Sequence, residues 1–317
     1  IKYLLVAVAK GNSSAMNYLA TYCKSKNDVE NMIKYLLMAI DKGDSNAMMN
    51  MAIYHKKNND VDNMLIYLEM AVERKKTNAM IYLGNYYKQN NDVDNMLKYF
   101  QMAIDLDDTK AMYNLGSYYE NLGDIDNMMR YYQMAIDRGN VAVMLNVGYY
   151  FAGKQDYDNM VKYLSMAIEK RDNLVGHDKI LGKAMYILGL HFTKERDVSN
   201  MLKYYLMSIE ESNNSKAMRN LGHFYRDEGD MENMFKYYLM AVEQNSVKAM
   251  IELGKIYQAK DDIDNMLKFY MMAMERGNIN SINLLASYYK TQNDVDNMIK
   301  FYQMAVDKGD VDAMLDL

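Results

Sequence analysis

Apolar residues fall at helical spacing in short blocks, separated by polar turns rich in Asn and Asp. In AMIYLGNYYKQNNDVDNMLKYFQMAIDLDDTK, residues 79–110, Met80, Leu83, Gly84 and Tyr87 stand at i, i+3, i+4 and i+7, and Met96, Tyr99, Phe100 and Ala103 repeat that spacing. Each block thus carries one apolar stripe, which predicts two short amphipathic helices. Between them NNDVD supplies turn residues, with Asp92 placed to N-cap the second helix and Asp94 in its first turn. Each predicted helix has about 13 residues, a length of roughly 20 Å.

The pattern is periodic. The dipeptide Asn-Met begins at Asn31, Asn63, Asn95, Asn127, Asn159, Asn200, Asn233, Asn265 and Asn297, with a spacing of 32 apart from one step of 41 and one of 33. Ala followed by Met keeps the same register from Ala15 to Ala313, with Val143 and Ser281 standing in twice. The unit is therefore 32 residues, and nine units fill 14–312. An insertion near 170–183 and a single residue near 212 interrupt the period; 1–13 reads as a partial second helix and 313–317 as a partial first helix. The array starts and stops inside a unit, as a window cut from a longer one would. Gly11, Gly43, Gly139, Gly277 and Gly309 follow second helices, where a left-handed cap is expected. Helices this short are not stable alone, and an isolated pair would leave one face bare. The expected fold is all-α: a single α-solenoid of stacked antiparallel helix pairs over 1–317.

The residues that carry the repeat also carry a family resemblance. AMYNLGSYY at 111–119, continued by GDIDNMMRYYQMAID at 123–137, resembles a tetratricopeptide repeat, with Leu-Gly, an aromatic three residues on, and a second helix with an aromatic and a small residue. The links MAIDKGDSNAMMNMA at 38–52 and MAIDRGNVAVMLNVG at 134–148 resemble the Sel1-like repeat, whose turn between units is shorter and holds a Gly. The resemblance implies a right-handed superhelix and a scaffold that binds peptides or partner domains on a concave face lined by first helices. It implies no cofactor and no enzymatic activity. The sequence departs from the tetratricopeptide pattern at its Trp, which is Met here, at its second-helix Ala, which is Met from Met32 to Met298, and at its inter-unit Pro, which is absent. Richness in Asn, Lys, Tyr, Met and Ile suggests an AT-rich genome, and the array is similar to repeat proteins of giant DNA viruses. The expected location is cytoplasmic, in host cytoplasm if the source is viral.

Composition narrows the chemistry. One Cys cannot form an internal disulfide, and the four His residues have no metal-ligand spacing. A net charge of −5 argues against a nucleic-acid partner, and no apolar run approaches the length of a membrane span. Methionines concentrate at three places in the unit, exemplified by Met80, Met96 and Met102, and read as adaptable core rather than as soft-metal ligands. Tyr35, Tyr67, Tyr99, Tyr131, Tyr163, Tyr204 and Tyr237 share one second-helix place, continued by Phe269 and Phe301, so the ring matters more than the hydroxyl. Cys23 occupies a first-helix aromatic place and reads as an inert buried thiol. An active site is normally unique, whereas nearly every feature here recurs in each unit.

The exception is a basic stripe. Lys216, Arg219, His223 and Arg226 stand at i, i+3, i+7 and i+10 on one first helix, and Lys183, Lys248 and Lys255 occupy equivalent places in the units on either side. Earlier units offer only Lys24, Lys56, Lys88 and Lys110, near helix ends or at a helix start. The stripe predicts a concave site for an acidic peptide or partner domain at the sixth to eighth repeats. Two other classes remain open: an RNA-binding helical repeat, which would need a base-reading residue at a fixed place in every unit, and a structural solenoid whose ends stack into filaments. The insertion KRDNLVGHDKILGK at 170–183 is a further candidate contact loop.

Overall fold

In the computed structural model of the chain, the structure describes residues 1–170 and 178–315. Among the described residues there are nineteen α-helices and no strand. A short helix, α1 (Lys2–Ala9), precedes nine helix pairs: α2 (Ser13–Ser25) with α3 (Val29–Asp41), α4 (Ser45–Lys57) with α5 (Val61–Glu73), α6 (Thr77–Gln89) with α7 (Val93–Ile104), α8 (Thr109–Leu122) with α9 (Ile125–Asp137), and α10 (Val141–Gly153) with α11 (Tyr157–Glu169). They continue as α12 (Asp178–Lys194) with α13 (Val198–Ser212), α14 (Ser215–Asp227) with α15 (Met231–Glu243), α16 (Val247–Ala259) with α17 (Ile263–Glu275), and α18 (Ile279–Thr291) with α19 (Val295–Asp307); a 3-10 turn, Asp312–Leu315, closes the described chain. The helices group into two compact units, Ile1–Val143 and Met144–Leu317. In each unit a helix packs most extensively on its pair partner and next on the helix that follows, which is how a stack of helix hairpins buries faces no hairpin could bury alone.

Local chemistry explains the period. Most helices have 13 residues, and most turns of either kind have three, as in Lys26-Asn27-Asp28 and Lys42-Gly43-Asp44. In both turns a C-cap residue precedes a left-handed residue and then an N-cap residue. Gly11, Gly43, Gly139, Gly277 and Gly309 are left-handed, as the sequence indicates, but Lys75, Asp107 and Asn245 take the same place with φ of 56°, 60° and 60°. The turn inside the pair uses Asn27, Asn59, Asn91 and Asn293, or Gly123 and Gly229, in this way. Asp92 does cap α7, accepting from the Asn95 backbone N–H at 3.1 Å. Its other carboxylate oxygen accepts from the Asn95 side-chain amide at 2.7 Å. The same double bond joins Asp28 to Asn31 and every equivalent pair through Asp294 and Asn297.

The core follows the apolar stripes. In α8 and α9, Ala111, Met112, Leu115 and Gly116 face Met128, Tyr132, Ala135 and Ile136, all buried. A buried Leu or Met of this kind contributes about 1.5–3 kcal/mol by leaving water. Beside the core, nearly parallel ring pairs recur: Tyr87 on Tyr99 (5.5 Å, 4°) in the first unit, and Phe192 on Tyr204 (5.5 Å, 4°) and Tyr257 on Phe269 (5.6 Å, 7°) in the second. The second-helix aromatics are thus buried or half-buried, and those from Tyr67 to Phe301 each stack on a first-helix ring, while Tyr35 has Cys23 at that place. Cys23 is buried, and burial pushes its thiol pKa up.

The insertion is partly helix. Residues 171–177 lie outside the described residues, while 178–181 lengthen the start of α12 to a 17-residue helix. It meets α13, itself lengthened to 15 residues, where Ser208 Oγ donates to the Gly182 carbonyl at 2.6 Å.

Candidate functional site

The seven basic candidates do not form one surface. Arg219 and His223 on α14 and Lys248 and Lys255 on α16 line a shallow groove of about 330 Å³, closed on its far side by Asn278 and Asn280 at the start of α18. Lys183 and Lys216 line a separate concavity of about 390 Å³ with Lys179, Tyr186 and Ile187. Lys183 also lies over the Tyr149 ring, 5.1 Å from its centroid. Arg226 turns to two carboxylates, Asp227 at 3.1 Å and Glu252 at 3.4 Å. Glu252 sits inside the first groove and also pairs with Lys255 at 3.7 Å. It occupies the place that Asn220 holds on α14, so spacing gave no sign that it would interrupt a basic wall.

Arg219 is held from behind. Thr193 Oγ1 meets Tyr205 Oη at 3.0 Å, Asn220 Nδ2 donates to Tyr205 Oη at 3.0 Å, and Arg219 Nη2 donates to Asn220 Oδ1 at 3.3 Å. Its Nε is buried and makes no hydrogen bond. Leaving a buried charged donor unpaired is costly, and other units mostly place apolar or aromatic side chains here, Ile81, Tyr113 and Ile251 among them. His223 Nδ1 shares a 2.9 Å hydrogen bond with Tyr238 Oη. Burial holds the His223 pKa below the usual imidazole value, opposed by Glu252. At neutral pH the groove therefore presents three cations, Arg219, Lys248 and Lys255, around one carboxylate.

Two further concavities lie in the first unit at equivalent places in successive repeats. One, of about 240 Å³, is lined by Lys24, Asn27, Val29, Met32 and Tyr54; the other, of about 430 Å³, by Lys56, Asn59, Val61, Met64 and Tyr86. The sequence shows the lysines but not the cavities, which arise where the turn of one pair meets the first helix of the next. Among the described residues no group of three His, Cys, Asp or Glu side chains could hold a metal ion, and no helix is long and apolar enough to cross a membrane.

Stacked helix hairpins with turns of mostly three residues at either end define an α-solenoid repeat protein. Two of its units resemble tetratricopeptide repeats. The tetratricopeptide repeat family matches residues 109–138 and 215–246, which are α8 with α9 and α14 with α15. The fold is similar to that of a protective antigen of uropathogenic Escherichia coli displaying an SLR fold, with a TM-score of 0.56 at 19% identity over 96% of this chain and 71% of that one. A Sel1 repeat protein from Oxalobacter formigenes aligns with a TM-score of 0.44 at 20% identity, over 72% of this chain and 99% of that one. No curated protein matches the sequence. Folds of this class generally mediate protein–protein interaction.

Proposed function

We propose that the protein is a non-enzymatic scaffold and that the groove over α14, α16 and the start of α18 receives an acidic segment of a protein partner. The observation that carries this reading is the gathering of Arg219, Lys248 and Lys255 along one groove, with a buried Arg219 Nε that has no hydrogen-bond partner. A carboxylate entering the groove would pair with a guanidinium charge already held in position by Asn220. Glu252 keeps the groove from being uniformly positive, which favours a ligand whose carboxylates are spaced rather than contiguous. Lys183 and Lys216 lie outside this groove, in the separate concavity beside α12.

The test is fluorescence anisotropy at low salt, with a labelled peptide of spaced Glu residues and its Gln counterpart. The Glu peptide should bind more tightly to the wild-type protein, and Lys216→Glu, Arg219→Glu and Arg226→Glu together should abolish capture without lowering the unfolding midpoint. Arg219→Gln alone should weaken binding by roughly tenfold. Unchanged binding in these variants sinks the site. Tighter binding of a single-stranded RNA than of the peptide would replace this reading with the nucleic-acid one.

A further inference from the structure

One register place on the solvent face of the second helices varies along the chain, and it is already apolar and exposed at Leu37 of α3. In α7, α9 and α19 that place holds Gln, and each Gln donates to the acid four residues on: Gln101 to Asp105 at 2.7 Å, Gln133 to Asp137 at 2.6 Å, and Gln303 to Asp307 at 3.0 Å. In three successive second helices, α13, α15 and α17, the place holds Leu206, Leu239 and Met271, exposed by 43%, 41% and 43%. Their following acids, Glu210, Glu243 and Glu275, are exposed and make no ion pair or side-chain hydrogen bond. Three residues before each apolar side chain stands an exposed lysine, Lys203, Lys236 and Lys268, in no salt bridge and leaning over the adjacent ring at 5.1 to 5.4 Å.

Residues three and four apart share one helix stripe, so on each of these helices a basic, an apolar and an acidic side chain stand in line, and the same register repeats on the next. The rise along a helix puts the apolar residue about 4.5 Å from the lysine and about 6 Å from the glutamate. The two charged residues are thus about 10.5 Å apart, close to the 10–12 Å diameter of one helix with its side chains. Single exposed apolar residues are ordinary, but one that recurs in register, framed by opposite charges, marks an interaction surface.

We propose that the solvent face of α13, α15 and α17 docks an amphipathic helix of a partner protein, lying crosswise to all three. Its apolar stripe covers Leu206, Leu239 and Met271, an acidic edge lies over Lys203, Lys236 and Lys268, and a basic edge lies over Glu210, Glu243 and Glu275. An extended strand is too narrow to reach both charged residues of a helix from the apolar one. The opposite signs of the two edges set the direction in which the helix lies. This surface is on second helices and is independent of the acidic-segment groove on the first helices.

The probe is a labelled helical peptide with Leu at i, i+3, i+4 and i+7, Glu along one edge and Lys along the other, compared with peptides carrying Glu on both edges or Lys on both. The mixed peptide should bind most tightly. Leu206→Gln, Leu239→Gln and Met271→Gln together install the side chain that other repeats carry, so folding should be kept while affinity drops by roughly tenfold or more. Lys203→Glu, Lys236→Glu and Lys268→Glu together should transfer preference to the peptide with Lys on both edges. Equal binding of all three peptides, no binding of the mixed one, or full affinity in the Gln variant overturns the proposal. So does sedimentation showing that the face pairs two copies of this chain, or its binding to anionic vesicles in preference to the peptide.

Discussion

Tyr238 Oη and His223 Nδ1 are 2.9 Å apart, and this bond ties the floor of the groove to the second helix beneath it. Burial raises the Tyr238 pKa to about 12, so its hydroxyl keeps its proton, and burial lowers that of His223. Glu252 and Asp227 pull the imidazole toward the charged form, while Arg219 and Arg226 push it away. A histidine with a depressed folded pKa takes up fewer protons than in the unfolded chain once pH drops below the unfolded value of about 6.5. Stability at this repeat is therefore complete above that pH and lost as pH falls through the folded value. His223→Gln should flatten this part of the acid limb in thermal unfolding followed between pH 7 and 5. A profile as steep as that of the wild type would exclude the imidazole as its source.

At Gly84 the ring of Phe100 leaves no room for a Cβ. A Cβ added at Gly84 would lie 2.6 Å from Phe100, whereas the preceding repeat carries Ala52 with Leu68, both buried. Gly84→Ala should cost about 1–3 kcal/mol through overpacking, and Phe100→Leu should cost by leaving space. The double variant recreates the Ala52 and Leu68 pairing, so its cost should fall short of the sum by about 0.5–3 kcal/mol. Additive costs in urea unfolding would show that the two positions do not share one packing constraint.

These residues also show how much was legible beforehand. Period, helix number and core stripes followed from spacing, because burial repeats as the helix does, and Asp92 read correctly as a cap. Asn95 did not: its Met neighbour made the ladder visible, but nothing in spacing says that the Asn amide closes the cap from the side chain. Nor does spacing say that Lys98 and Lys236 lie over the rings of Tyr99 and Tyr237, at 4.8 and 5.3 Å. The basic stripe was legible as four residues on one helix. Its division between two concavities, and the carboxylate of Glu252 among them, depend on which side chains of successive first helices meet, and a one-dimensional period does not encode that.

The cap predicts an acid response shared across the array. Hydrogen bonds from Asn31, Asn95, Asn127 and Asn297 hold the carboxyls of Asp28, Asp92, Asp124 and Asp294 below the usual carboxylate value. Because the folded pKa is the lower one, this stabilisation is present above the unfolded value of about 3.9 and disappears as pH falls through the folded one. Asn95→Ala should lower the unfolding midpoint at pH 7 by less than Asp92→Ala, which also loses the backbone bond, and below pH 3 both should converge on the wild type. A difference that persists at pH 2 would place the effect outside the carboxylate.

Lys75 closes the second helix of its pair where five other repeat boundaries use Gly, and it holds φ at 56°. A side chain in this region brings its Cβ against the following carbonyl oxygen, a penalty of about 1 kcal/mol or slightly more. Lys75→Gly removes that penalty but gives the unfolded chain more freedom, which offsets about 0.4–1 kcal/mol. The net gain should be small and positive, up to about 1 kcal/mol. Lys75→Ala keeps the Cβ and serves as the control: it should gain nothing from backbone relief, and any change it produces reports the lysine charge. If Gly and Ala shift the urea midpoint equally, the left-handed turn is not what limits this boundary, and charge near the end of α5 is the cause instead.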